Sequence, residues 1–325
     1  MLLGSLSLVS GEARVWTSSD GRTLEGDLIR VEGEVAIVRV NGNNLRIPFE
    51  KLSAEDVVFL KEAAAKALKG TGRLFGIELK AGTTMEIDEF LEEALKEDLA
   101  SKDFKPSKIV VKMSVPKEFD PAEAQKVFWM VGGTEHDADR RRGNIGTFRS
   151  GLLALEEGWI VIAADTNLGN PRSSTEKVSE VDAEFHHFLV NEISKGWPAF
   201  RSWKHACGGH SGGAQGAFFR AAQLLKAGVN VEGLFLSGCP EGALRQASQE
   251  NRIRSSDWRK LKVFQSTGDQ DKVAEARQVE SVANELKRGG VRKLVSKTFP
   301  GNHTLSEEHF REALDWFEEE EKAAE

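Results

Sequence analysis

The sequence predicts an α/β fold: a mostly parallel sheet flanked by helices, preceded by a small β-barrel-like domain. Three observations predict it. Beyond residue 105, near-continuous apolar runs alternate with amphipathic runs, the pattern of buried strands between covering helices. Between Arg14 and Phe49, apolar and polar residues alternate in short runs, as in strands with a single buried face. A glycine-rich stretch, CGGHSGGAQG at 207–216, joins an apolar run to a helical one.

The chain starts with MLLGSLSLVSGEA (1–13), apolar and rich in small residues. This reads as the remnant of a secretory signal peptide, although the positively charged start is missing; a disordered or strand-forming leader is the alternative. A signal would place the protein outside the cell or in the periplasm; otherwise it is cytoplasmic. From 14 to 68, short alternating runs are separated by the turn signals SDG, EG and NGNN, which suggests a small β-barrel or sandwich. Ser53, followed by Glu55 and Asp56, opens a helical pattern that Gly70 and Gly72 close. Residues 69–104 read as a linker. LFGIELKAG has strand character, and EIDEFLEEALKEDLA is an acidic helix-like run of the kind that faces solvent.

Residues 105–325 form the α/β part. Its strand candidates are KIVVKMSV, KVFWMVGG, GWIVIAAD, WKHACGG, VEGLFLSG, KVFQSTGD and LVSKTFPG. FRSGLLALEEG, AEFHHFLVNEISKG, AQGAFFRAAQLLKAG and AEARQVESVANELKRGG supply helices between several of them. A chain of 325 residues with 40% hydrophobic and 29% charged residues can bury a sizeable core. Its net charge of −7 argues against a nucleic-acid partner, because non-specific binding needs excess Lys and Arg. No apolar run reaches the ~18 residues of a membrane span. The two cysteines, Cys207 and Cys239, make neither a disulfide framework nor a four-ligand zinc site; whether they bond depends on strand alignment.

The chemistry concentrates at Gly209-His210-Ser211-Gly212-Gly213. This is G-x-S-x-G between a strand and a helix, the context in which a sharp turn exposes a nucleophilic serine. Glycines at the flanks permit a turn that side chains would obstruct, and Gly216 permits close helix–sheet packing. A phosphate-binding loop is the competing reading of such a turn, but G-x-x-x-x-G-K-[ST] is absent.

Residues from about 107 to 325 resemble the α/β-hydrolase superfamily. The resemblance is nearest to its esterase, feruloyl-esterase and polyhydroxybutyrate-depolymerase-like branch. It rests on G-x-S-x-G, on VKMSVPKEFDPAEAQKVFWMVGG and on GWIVIAAD. The resemblance implies an acid and a histidine following the serine in that order. Of seven histidines only His303 and His309 follow Ser211. His303 lies in the loop FPGNHTLS, whereas His309 falls in a helix-like run and is expected on its surface. For the acid, Gly268 and Val273 in VFQSTGDQDKV select Asp271; Asp269 and Glu241 stay open as alternatives. The oxyanion donors are expected to be the N–H groups of Gly212 and Gly133, with Thr134 next. Val131 stands where many esterases of this branch carry histidine.

Residues 14–68 resemble the SHD-type domain of actin-patch adaptors. The matching residues are Trp16-Thr17, Asp20-Gly21-Arg22, Asn41-Gly42, Ile47-Pro48 and Lys51-Leu52-Ser53-Ala54-Glu55-Asp56. In adaptors this domain binds short peptides containing Asn-Pro-Phe, which implies a peptide or protein ligand. A structural appendage is an equal reading.

His136, Asp137 and Asp139 lack the spacing of a metal site and read as a polar loop. Arg140, Arg141 and Arg142 read as solvated surface or as a clamp for an acidic group. His186 and His187 read as surface or polar core residues. The expectation is a serine esterase acting without metal or organic cofactor on a small-molecule or polymer-derived ester. The rivals are a peptidase or lipase on the same triad, and a non-catalytic envelope adaptor with a degenerate hydrolase domain.

Overall fold

Fifteen strands and eight helices account for most of the described chain, and they separate into two compact units. A computed structural model describes residues 6–7, 14–69, 72–75, 77–90, 108–133, 144–166 and 176–319. One unit comprises residues 1–78, 120–124 and 193–202; the other comprises 79–119, 125–192 and 203–325.

In the first unit, β1 (Leu6–Ser7), β3 (Thr23–Glu32), β4 (Val35–Val40) and β5 (Asn43–Pro48) form an antiparallel sheet in that order, and β2 (Arg14–Thr17) also pairs with β3. Asn41 and Gly42 turn β4 into β5 with φ of 49° and 80°, the left-handed conformations a two-residue hairpin requires. α1 (Ala54–Lys69) follows, and the Ser53 hydroxyl caps it by accepting the Asp56 N–H at 3.2 Å. The Asp56 carboxylate reaches back to β2, where it accepts from the Thr17 N–H (2.6 Å) and Arg14 Nη2 (2.8 Å). Burial pushes this carboxyl up, but these bonds outweigh it and hold it below the usual range. Trp16 is buried, with its indole N–H on the Gly26 carbonyl. Of the strand-like stretch LFGIELKAG, Leu74 ends β6 (Arg73–Leu74) and Ile77–Glu78 form β7, which pair antiparallel.

The second unit holds an eight-stranded sheet. Its strands are β8 (Thr84–Phe90), β9 (Lys108–Ser114), β10 (Lys126–Val131), β11 (Ile160–Thr166), β12 (Lys204–His210), β13 (Val231–Ser237), β14 (Lys262–Gly268) and β15 (Lys293–Phe299). They lie in the order β15-β14-β13-β12-β10-β11-β9-β8. All pairs from β11 to β15 are parallel, while β9 is antiparallel to both its neighbours. β8 corrects the linker reading of 69–104. Met85 and Ile87 are buried while Glu86 and Asp88 pair with Lys112 and Lys108, a period of two hidden in an acidic run. The rest of that run, residues 91–100, lies outside the described residues.

The sequence alternates along β10 between two buried faces. Phe128 and Met130 join a core with Trp159, Phe235, Phe264, Phe310 and Phe317, packed beneath α2 (Phe148–Glu156) and α8 (Glu307–Glu318). Val131 faces the other way, against Gly216 of α4 (Gly212–Lys226). The remaining helices are α3 (Glu176–Gly196), α5 (Leu244–Asn251), α6 (Ser255–Trp258) and α7 (Ala276–Arg288). Among the described residues, no helix is long and apolar enough to cross a membrane.

Candidate active site

β10 and β12 are hydrogen-bonded neighbours, yet the chain leaves β10 towards β11 and leaves β12 towards β13. These two strands are therefore the point where the strand order reverses, the place where α/β sheets put ligands. Ser211 sits at the end of β12 and Gly132–Gly133 at the end of β10.

Ser211 has φ 58° and ψ −122°, a conformation costly for any residue with a side chain. The Ser237 carbonyl holds it there by accepting its N–H at 2.8 Å. The flanking glycines have a more specific cause than freedom within the turn. The Val131 carbonyl passes so close that a Cβ on Gly209 would lie 2.1 Å from its oxygen, and one on Gly213 2.3 Å. A Cβ on Gly216 would meet Val131 Cγ1 at 2.9 Å. The motif thus records how tightly the end of β10 is pressed against the turn. Gly212 and Gly213 open α4, where N–H groups lack intrahelical partners and the helix dipole is positive. Gly133 lies beside them: a Cβ there would be 3.9 Å from Gly213 N.

Asp271 Oδ2 and His303 Nδ1 are 2.8 Å apart. The Asp271 side chain is 0% exposed, and its Oδ1 accepts the N–H groups of Val273 and Ala274 at 2.8 Å each. Burial raises this carboxyl, but the Ala274, His303 and Val273 hydrogen bonds together outweigh it and leave it below the usual carboxylate range. Asp271 is therefore an anionic acceptor, which assigns the Nδ1 proton to His303 and leaves Nε2 as the lone-pair nitrogen of the neutral ring. Nε2 is buried and has no hydrogen-bond partner among the described residues, Ser211 Oγ included.

The His303 ring packs on that of His210, with centroids 4.4 Å apart at 47°. Both rings lie over Gly238, whose φ is 53°; a Cβ there would come within 2.8 Å of His210 Cε1 and 3.0 Å of His303 Cε1. The serine backbone and the histidine ring are thus held by consecutive residues, Ser237 and Gly238. His210 Nδ1 lies 3.1 Å from Ser237 Oγ. Burial, aided by the neighbouring His303, lowers the His210 pKa against the pull of Asp271.

The alternatives fall elsewhere. Asp269 is exposed; its Oδ1 accepts the Gly301 N–H at 3.0 Å and its own N–H donates to Phe299 O at 2.9 Å, so it ties down the loop that carries His303. Glu241 is exposed and contributes its carbonyl to the Cys239 thiol. His309, expected on a surface, is 7% exposed and bonded to Ser266 Oγ at 2.8 Å. It shares the inward face of α8 with Phe310, Ala313, Leu314 and Phe317, so the helical period turns it inward. His186 is buried and His187 exposed. Cys207 and Cys239 are separate buried thiols that burial pushes up to about 12. Thr134, His136, Asp137, Asp139 and Arg140–Arg142 lie outside the described residues. Among the described residues, no cluster of three or more His, Cys, Asp or Glu could hold a metal.

Sequence reasoning missed the His210–His303 stack, although the motif itself contains His210. It also missed Asn144 and Asp165, which brace the end of β10. Nothing in the local pattern marks those two, because their partners are backbone groups distant in sequence.

No family model matches the chain, and no curated protein matches it. Among solved structures, it is similar to the fluorophosphonate-binding serine hydrolase FphF of Staphylococcus aureus. The two are 14% identical with a TM-score of 0.50, over 74% of this chain and 100% of that one. A truncated carbohydrate esterase from gut microbiota (14% identical, TM-score 0.48, 74% and 97% covered) and a ferulic acid esterase (16%, 0.45, 71% and 95%) are also similar. At such identities the likeness concerns the fold: a mostly parallel eight-stranded sheet flanked by helices, as in α/β-hydrolases.

Proposed function

We propose that this chain, with its α/β-hydrolase fold, is a serine hydrolase of carboxylic esters. The observation that carries the reading is the state of His303. An anionic Asp271 occupies Nδ1, Nε2 is buried and has no partner among the described residues, and the ring packs on that of His210, the residue before Ser211. A general base needs that arrangement.

In this reading Ser211 Oγ attacks the ester carbonyl carbon while His303 Nε2 takes the hydroxyl proton. Asp271 keeps the ring oriented and stabilises the imidazolium that forms. The N–H groups of Gly212 and Gly133 bind the oxygen that becomes negative. The tetrahedral intermediate expels the alcohol, which leaves with the proton from Nε2. Water then attacks the acyl-enzyme, giving its proton to Nε2, and as the second tetrahedral intermediate collapses Nε2 returns that proton to Ser211 Oγ, so that the acid and the free serine result. A short Ser211–His303 bond is not required beforehand, since such contacts tighten when substrate binds.

Labelling with a fluorophosphonate probe tests this. Wild type is expected to be labelled and to hydrolyse short aryl esters, and Ser211→Ala to do neither. An unlabelled wild type would point instead to a binding protein on a hydrolase scaffold. A panel of acyl lengths, with feruloyl and acetyl-sugar esters, then defines the substrate.

For the N-terminal module, Trp16, Asn41-Gly42 and Asp56 serve its fold, which suits a structural appendage as well as an SHD-type domain, and a peptide-binding role rests on the sequence resemblance. Titrating the whole protein with an Asn-Pro-Phe peptide checks it. The leader reading places the protein in the periplasm or outside the cell, which fractionation of producing cells would test.

A further inference from the structure

β10 and β11 pair only from Val127↔Ile160 to Trp129↔Ile162; the ladder stops before the last residues of β10. Asn144 fills the gap. Its Oδ1 accepts the Gly132 N–H at 3.0 Å, and its Nδ2 donates to the Ala164 carbonyl at 2.7 Å. The side-chain amide thus stands where a strand-to-strand link would be, accepting from one chain and donating to the other. Asn144 is 3% exposed, and its position is itself fixed. Its own N–H donates to Asp165 Oδ1 at 3.1 Å, and the next N–H, of Ile145, donates to Asp165 Oδ2 at 2.8 Å. Its carbonyl accepts the Thr147 hydroxyl at 2.9 Å.

We infer that Asn144 is a positioning residue for the oxyanion-binding loop: it holds the Val131–Gly132 peptide so that Gly133, not Gly132, offers its N–H to the reacting carbonyl. This rests on the serine-hydrolase reading above. The peptide is pinned at both ends. The Val131 oxygen is pressed against Gly209 and Gly213, and the Gly132 N–H is consumed by Asn144. The chain then continues to Gly133 beside the N-terminus of α4. Without the amide, a buried Gly132 N–H is left unsatisfied, a state that drives the peptide to turn towards another acceptor and moves Gly133 with it. Asparagine meets the need because one short side chain both donates and accepts; aspartate only accepts, and leucine does neither.

Asn144→Ala and Asn144→Leu, neither of which can accept the Gly132 N–H, test the assignment on the full-length protein. The expected result is a loss of ~10²-fold in kcat, the scale of one displaced oxyanion donor, with KM within about threefold. Affinity for an arylboronic acid, which forms a tetrahedral adduct on the serine, is expected to fall in parallel with kcat/KM. A merely structural residue would lower the melting temperature and leave these ratios intact well below it. Hydrogen exchange provides a second measurement that needs no stable variant: the Gly132 amide of wild type is expected to be protected. A freely exchanging Gly132 amide overturns the proposal, as does kcat within threefold of wild type in a folded Asn144→Ala. A wild type that is not labelled at Ser211 overturns the hydrolase reading first and this role with it; a labelled wild type with unaffected variants overturns this role alone.

Discussion

At the scale of single residues, the site depends on which nitrogen of His303 carries the proton. Asp271 sets this as a buried anion with three hydrogen bonds. Asp271→Asn keeps the shape, but its amide can donate to Nδ1 and favour the opposite tautomer. The expected loss in kcat is about 10³–10⁴-fold, read from steady-state kinetics with an aryl ester. Asp269→Asn retains an acceptor for the Gly301 N–H and is expected to change kcat by less than tenfold, which separates the two aspartates. Gly213→Ala probes the other half of the site. Its methyl would lie 2.3 Å from the Val131 oxygen, so β10 or α4 must move. Overpacking of this kind costs about 1–3 kcal/mol, and a urea melt should show it. Activity should fall further than stability alone explains, because the displaced strand carries Gly133.

At the scale of elements, α8 follows the loop that bears His303, and its far end is held by lysines from the starts of two strands. Lys262 Nζ donates to the carbonyls of Trp316 and Glu319 at 2.6 Å each, and Lys204 Nζ to those of Phe317 and Glu318 at 3.2 Å each. The last carbonyls of a helix have no intrahelical donors and carry the negative end of its dipole, so an ammonium there satisfies both. Lys262→Met keeps the aliphatic stem and removes the charge. It is expected to destabilise the protein by about 1–2 kcal/mol in a denaturant titration and leave kcat unchanged. These lysines begin strands whose opposite ends form the site, which is why stability and turnover should separate. The motif at 209–213 was legible because its cause is local enough to appear as glycines. The lysine clamp was not, since lysine at the start of a strand looks like ordinary surface.

At the scale of the whole molecule, the buried His186 and His309 and the half-buried His210 contribute to the dependence of stability on pH. Burial is the leading cause that lowers His186, His210 and His309. A base whose folded pKa lies below its unfolded value, about 6.5, binds fewer protons in the native state. Stability is then full above about 6.5 and declines as pH falls towards the folded values. Asp56 and Asp271 act at lower pH: their contribution is present above the unfolded carboxylate value, about 3.9, and is lost as pH falls through their lower folded values. Melting temperature is expected to drop in two stages on acidification. His309→Asn should flatten the first stage; an unchanged slope would remove His309 from it.

The sequence by itself determined the alternation of buried strands and helices, the sharp turn at Ser211 and the two later loops with Asp271 and His303. Periodicity and glycine spacing are properties of the chain near each residue, so they can be read along it. Tertiary structure alone decided that the acidic run at 84–90 supplies an edge strand, and that His309 faces inward. It also decided that Asn144 bridges two parting strands and that Val131 is what the motif glycines make room for. Those outcomes depend on atoms brought together across the sheet, where one backbone oxygen at a given distance sets which residue fits, and no local pattern records such an encounter.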